Sequence, residues 1–300
     1  MEKWALLLIE IAKKARIVAK RLESYEKIKE QPAINTHILE KNLNDIKKLL
    51  TTFPDSEIKS GIVKWTDDET EFIKKTKEEF RFQFGNQLKE LLEKDGLILK
   101  GQLPLLRAGF FTLKLDFELG FAALYWGPEI QTIKAKIPLS VQEIYQTLHN
   151  FNEQIKKRTT SPQDFLKNLH QAYQRYTSFN PPKADGNKVL LIDLLSELVL
   201  ISQPSSFRTD PSKDKFREYS RIQFSYDLYC LRQTTGQASS LRLSVATFDA
   251  TTDIAKSIWV PDNETGDGTY YSYIAFVEST LTPNRVREEK KEGNEATNEH

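Results

Sequence analysis

SPQDFLKNLHQAYQRYTS at 161–178, NKVLLIDLLSELVLIS at 187–202 and PSKDKFREYSRIQFSYDLYCLRQ at 211–233 come in that order. LRLSVATF at 241–248, KSIWV at 256–260, PDNETGDGT at 261–269 and YYSYIAFV at 270–277 follow. The first three stretches carry apolar residues at helical spacing, and the later ones alternate with period two around a polar loop. Three helices, then a small sheet with a protruding loop, is the element order of a winged-helix-like module. Ser161-Pro162 offers a cap followed by a first-turn proline. Asp210-Pro211 repeats that device and predicts a helix over 213–232.

On that predicted helix Phe216, Phe224, Leu228 and Leu231 face a core, while Lys213, Arg217 and Arg221 stand four apart as a basic stripe. The third helix of such a module commonly enters a major groove, so this stripe is a candidate for phosphate or base contact. Two features oppose it. Asp214 and Glu218 sit three residues before Arg217 and Arg221, within pairing reach. The loop 262–267 carries Asp262, Glu264 and Asp267 and no cation, so a nucleic-acid backbone would repel it. Alternation in the last strands predicts Arg242, Trp259, Tyr271 and Tyr273 on the face opposite the core. Aromatics beside an arginine can stack on unpaired bases or anchor a protein; the alternative is that they lie beneath other elements of the same chain.

Upstream, the period of two recurs over 97–137. Phe111, Leu113, Leu115 and Phe117 share one face of an antiparallel meander, with Thr112, Lys114 and Asp116 on the other. Thr66-Asp67-Asp68-Glu69 reads as a capping box opening a helix that runs to Lys94, with a break near Gly85. Ser140 with Glu143 opens another, to about Lys157. Residues 1–53 read as two helices around a proline break. Trp4, Leu8, Ile11, Ala15, Val18, Leu22 and Tyr25 form one heptad stripe, and Leu39, Leu43, Ile46, Leu50 and Phe53 a second. Leu6, Leu7, Ile9 and Ile17 broaden the first stripe, so the first helix is expected to hold surplus apolar surface for a second chain. Trp4, Leu8, Ile11, Val18 and Leu22 are its candidate contacts. The organisation expected is therefore α+β: a helical hairpin at 1–53, a helix–meander–helix unit at 54–158, a winged-helix-like module at 159–280 and a disordered charged tail at 281–300.

Composition sets the remaining bounds. The formal net charge of +1 argues against coating nucleic acid through an overall field. A single cysteine, Cys230, excludes a disulfide framework and any multi-thiolate zinc site, and it fits a reducing compartment. WALLLI at 4–9 is too short for a signal peptide core, with Glu2 before it and Glu10 after it. A cytoplasmic protein without membrane contact is expected. The sequence carries no phosphate loop or dinucleotide fingerprint, and its four histidines show no ligand spacing, so no cofactor and no metal are expected. One dispersed metal-nuclease site, Asp116, Glu129 and Lys134, can be drawn across the meander. The expectation is a non-catalytic binding or adaptor subunit of an intracellular assembly, contacting a protein, itself or nucleic acid. The alternatives are that nuclease or a purely structural oligomer.

Overall fold

The computed structural model describes residues 2–129, 131–157, 160–181, 187–235 and 241–276. The chain is mixed α+β and opens on a helical hairpin, α1 (Glu2–Lys29) and α2 (Pro32–Thr51). α3 (Glu57–Lys94) follows and packs along α2. The later part of the first heptad stripe and most of the second face inward: Tyr25, Leu39, Leu43 and Ile73 form a small buried cluster. Tyr25 donates to the buried Glu69 carboxylate at 2.7 Å, which Lys29 also reaches at 2.6 Å. Burial, with the Glu69 bond next, raises the Tyr25 pKa.

That bond corrects the expected start of α3. Ser56 caps the helix, accepting from the Lys59 amide at 3.2 Å. Ten residues on, Thr66 donates back to the Val63 carbonyl and Glu69 is taken by Tyr25 and Lys29, so the Thr66–Glu69 box is mid-helix. No break occurs at Gly85, which is helical. α3 spans 38 residues, about 57 Å at the helical rise.

The meander contains β1 (Leu99–Gln102), β2 (Leu105–Ala108), β3 (Phe111–Asp116), β4 (Phe121–Trp126) and β5 (Gln131–Pro138), each antiparallel to the next. Phe111, Leu113 and Leu115 point into the core as the alternation predicts. α4 (Val141–Lys156) begins after Ser140, and α5 (Pro162–Phe179) is capped by the Ser161 hydroxyl.

Next come β6 (Val189–Leu190), α6 (Leu191–Ile201), α7 (Ser205–Thr209) and α8 (Arg221–Thr235). β7 (Leu241–Val245), α9 (Phe248–Thr251), β8 (Ile258–Pro261) and β9 (Gly268–Phe276) complete the described chain. β9 is the middle strand of the second sheet: β6 and β7 flank its second half and β8 pairs with its first. One continuous core runs from Phe84 in α3 through the meander to Ile274 in β9. The tail expected at 281–300 lies outside the described residues.

Candidate functional site

The predicted helix over 213–232 exists only from Arg221 onward. Gln203 explains the difference. Its buried amide accepts from the Arg217 amide at 2.9 Å and donates to the Arg217 carbonyl at 3.0 Å, so both backbone groups are satisfied outside a helix. The helix start is a true capping box that sequence reading missed. The Ser220 hydroxyl accepts from the Gln223 amide, and the Gln223 side chain accepts from the Ser220 amide. The signal was present as Ser220-x-x-Gln223, which spans Arg221, the last member of the expected basic stripe.

Lys213, Arg217 and Arg221 therefore do not form a helical stripe. Lys213 lies in an exposed turn and Arg217 in irregular chain. Arg221 turns inward and donates to the Ile254 carbonyl at 2.6 Å and to the Ser257 carbonyl. Burial lowers its pKa, with Tyr270 acting in the opposite sense. α8 itself is enclosed. Ile222, Phe224, Leu228, Tyr229 and Leu231 are buried, as are Ser225 and Asp227, so almost every turn is covered on more than one side. The residues of α8 that stay exposed, Gln223, Gln233 and Thr234, carry no positive charge to hold a phosphate.

The final sheet departs from expectation through its register. Trp259 pairs with Tyr270, and Tyr271 pairs with Ile258, so Trp259 and Tyr271 point to opposite faces. The pairing of β8 with β9 could not be read from alternation within each strand. Trp259 is buried edge-on against Trp126, and its ring lies so close to Gly127 and Gly268 that a Cβ at either position would collide with it. Trp126 Nε1 donates to the Ser225 hydroxyl at 2.9 Å, which donates to the Trp259 carbonyl at 2.5 Å. Tyr271 is buried beneath the Arg232 guanidinium, 5.4 Å from its ring centroid. Arg242 and Tyr273 remain exposed on neighbouring strands, where Arg242 faces Ala275 and Tyr273 faces Ser244. Of the four residues expected on a free face, Arg242 and Tyr273 are exposed, Tyr271 is covered by Arg232, and Trp259 forms an internal seam with the meander.

The acidic loop belongs to that seam. Asp262 takes an ion pair from Arg232 at 2.8 Å and a bond from Thr269 at 2.7 Å. Asn263 and then Thr265 bond to Asp267 and lower its pKa, aided by Lys100 and Arg107 and opposed by burial. Gly266 sits on the carbonyl of Gly109, where a side chain would collide.

The residues drawn as a nuclease site are not brought together. Asp116 accepts from the Glu118 and Leu119 amides at one end of β3. Glu129 pairs with Lys114 and follows the far end of β4, since Phe111 lies opposite Trp126 and Asp116 opposite Phe121. No group of three or more His, Cys, Asp or Glu side chains able to hold a metal occurs among the described residues. His149 and Asp95 are 2.7 Å apart, with the Tyr145 hydroxyl 3.3 Å from the same carboxylate, which ties α4 to the end of α3.

The leading part of α1 is different in kind. Lys14 Nζ donates to the Thr52 carbonyl at 3.2 Å, which marks where α2 ends along α1. Residues 3–13 run on beyond it as an overhang of about 16 Å. Trp4, Leu6, Leu7, Leu8 and Ile9 are all exposed, Trp4 at 68% and Leu8 at 65%. They cover every side of the helix, because six consecutive residues pass through more than a full turn. Of the other candidate contacts, Ile11 and Leu22 are half-buried and Val18 is buried.

Beside Leu22 a groove separates α1 from α3, lined by Leu22, Glu26, Gly61, Ile62 and Trp65, with a volume of about 290 Å³. Gly61 leaves it open. Glycine within a helix costs roughly 0.5–1 kcal/mol relative to alanine, and nothing lies within 4 Å of a Cβ placed there. No helix is long and apolar enough to cross a membrane among the described residues. No family model, curated protein or solved structure matches this chain.

Proposed function

We propose that this protein is a non-catalytic binding subunit of a larger intracellular assembly, and that it docks through the overhang of α1. One observation carries this reading. Five large apolar side chains within six residues face solvent on a helix whose later turns pack on α2 and carry the buried Val18 and Tyr25. Other exposed aromatics, such as Phe82, Phe179 and Phe248, stand well apart in the sequence, and singly scattered apolar residues are ordinary on a protein surface. A contiguous apolar patch marks an interaction site. The same reading takes 162–276 as a winged-helix-like framework. The central place of β9 between β6 and β7 supports it, together with the helices α5, α6 and α8. In this framework the third helix is internal, so nucleic-acid contact through α8 finds no support in its surroundings.

The test is the double variant Leu7→Asp plus Leu8→Asp. Both positions are exposed, so the fold should persist by circular dichroism. Wild type should sediment as an assembly, with itself or with a defined partner, and the variant as a 34.7 kDa monomer. Equal masses would end the reading if a thiol at Leu8→Cys also reacted as fast in the native protein as in denaturant.

A further inference from the structure

The meander has two faces, and the core uses one of them. Leu113, Leu124 and Trp126 turn inward and are buried. The opposite face is wet. Register places Arg107, Thr112, Tyr125 and Thr132 in one row across β2 to β5, with Lys100 of β1 at its end. Lys114 lies in the next row, opposite Ala123. On β5 the exposed Lys134 and Lys136 are interleaved with Ile133 and Ile137, which turn toward the core.

β4 carries the informative part. Ala122, Leu124 and Trp126 are buried, so alternation turns Phe121, Ala123 and Tyr125 to the wet face. Both rings are half-buried, and neither packs in the continuous core. They stand about 14 Å apart on one strand. Small Ala123 lies between them, with Lys114 on the strand to one side and Lys134 and Lys136 on the strand to the other. We infer that this face binds single-stranded nucleic acid, with bases stacked on Tyr125 and Phe121 and phosphates held by Lys114, Lys134 and Lys136.

The chemistry of the face selects that class. Aromatic rings take any unpaired base, because every base has a π-face, and the flanking cations complement the backbone. A duplex does not fit: the sheet has five strands, spanning about 19 Å, and a major groove is about 12 Å wide. An anionic bilayer selects apolar side chains raised for insertion, whereas here the rings lie low and the lysines stand out. Lysines on an edge strand also deter pairing between sheets, but that role leaves the rings beside them without a reason. Carboxylates bound the face. Asp116 is taken by the amides of Glu118 and Leu119, and Asp267 lies at the margin under the influence of Lys100 and Arg107. Glu129 holds Lys114 at 2.7 Å, in a pair whose side chains are 37% and 56% exposed. An exposed pair of this kind is weak, so a phosphate displaces it. The site lies on a different element from the overhang of α1 and stands or falls separately from the docking reading.

The experiment is fluorescence anisotropy of a labelled oligo-dT strand with the full chain, repeated over a salt titration. Wild type should bind with log affinity falling against log salt at a slope of about −2, from three phosphate contacts at roughly 0.7 each. Lys134→Ala plus Lys136→Ala, both at exposed positions, should weaken binding about tenfold or more and bring the slope to about −0.7. Tyr125→Leu should cost about tenfold with the slope unchanged, and Tyr125→Phe should restore the affinity. Glu129→Gln should tighten binding roughly two- to threefold by releasing Lys114. Circular dichroism confirms the fold of each variant. A wild type without salt-sensitive binding to the strand would overturn the site, as would a double lysine variant that binds like wild type. Wild-type affinity in Tyr125→Leu would remove the stacking, and a blunt duplex bound as tightly as oligo-dT would remove the preference for unpaired bases. Binding to phosphatidylserine vesicles with none to oligo-dT would make the same cations a membrane contact and end the proposal.

Discussion

α1 and α8 are both rich in apolar residues, and the molecule treats them oppositely. α8 is wrapped by α5, by β8 and by the aromatic end of the meander, where Phe110 meets Tyr226 and Tyr229. α1 has company only along its later turns. The helix expected to present a surface is therefore internal, and the surplus apolar area lies at the other end of the chain. Hydrophobic residues do not by themselves tell a core from an interface; the length of the neighbouring helix does. α2 ends beside Lys14, and Trp4, Leu6, Leu7, Leu8 and Ile9 before that point on α1 have no cover among the described residues.

The comparison breaks most readily at Phe224, fully buried in α8. Phe224→Ala should lower unfolding stability by about 3–5 kcal/mol, whereas Leu8→Ala, measured in monomer at high dilution, should change it by no more than about 0.5 kcal/mol. Urea titration followed by tryptophan fluorescence reads both, and equal losses would mean that the overhang is part of the folded core.

Two glycines give the next contrast. At Gly127, with φ of 63° and the Trp259 ring against it, Gly127→Ala should cost about 1–3 kcal/mol. It should also alter the near-ultraviolet dichroism of Trp126 and Trp259. At Gly61, in regular helix with open space, Gly61→Ala should raise monomer stability by roughly 0.4–1 kcal/mol.

Within the hairpin, Tyr25→Phe removes the hydroxyl from a buried carboxylate that keeps Lys29. A loss of about 1 kcal/mol is expected in the same titration. A change near zero would show that Lys29 and solvent satisfy Glu69 without it.

The smallest effect concerns His37, wedged against Gly120 with Lys77, Glu40 and Glu118 around it. Burial lowers its pKa, Lys77 lowers it further, and a contact with the Ile34 backbone opposes both. The unfolded chain then binds this proton more readily than the folded one. Stability is complete above the ordinary imidazole pKa of about 6.5 and falls as pH drops below it. The expected outcome is a fall in stability as the pH is lowered through this range. In His37→Gln that component should vanish, leaving the titration of the other groups.

Much of this was legible. The heptad residues Val18, Tyr25, Leu39, Leu43, Ile46 and Leu50 are buried, and the alternating face Phe111, Leu113, Leu115 is the core of the meander. Local signals failed where a distant side chain outbid them. Glu69 serves Tyr25, 44 residues away, instead of a helix cap. Gln203 holds the Arg217 backbone and so ends any helix before Ser220. The buried place of Trp259 follows from strand register and from two glycines that admit its ring, neither of which a single strand records. The exposed overhang was legible only as surplus, because the sequence does not state that α2 stops at Thr51.

α3 belongs to both regions. Its first half carries Ile73 in the hairpin cluster, and its second half carries Phe84, Leu88 and Leu92 in the main core. Regular helix joins the two groups without a loop and continues past Gly85. Lys77 and Arg81 tie its middle to Glu118 of the meander, and about 30 Å of helix runs on before Lys77 along the hairpin. A tilt of roughly five degrees at that tie would carry the far end through about 3 Å. Whatever takes hold of the overhang thus acts on the sheet with a long lever arm, and a force at the docking site reaches the body as torque.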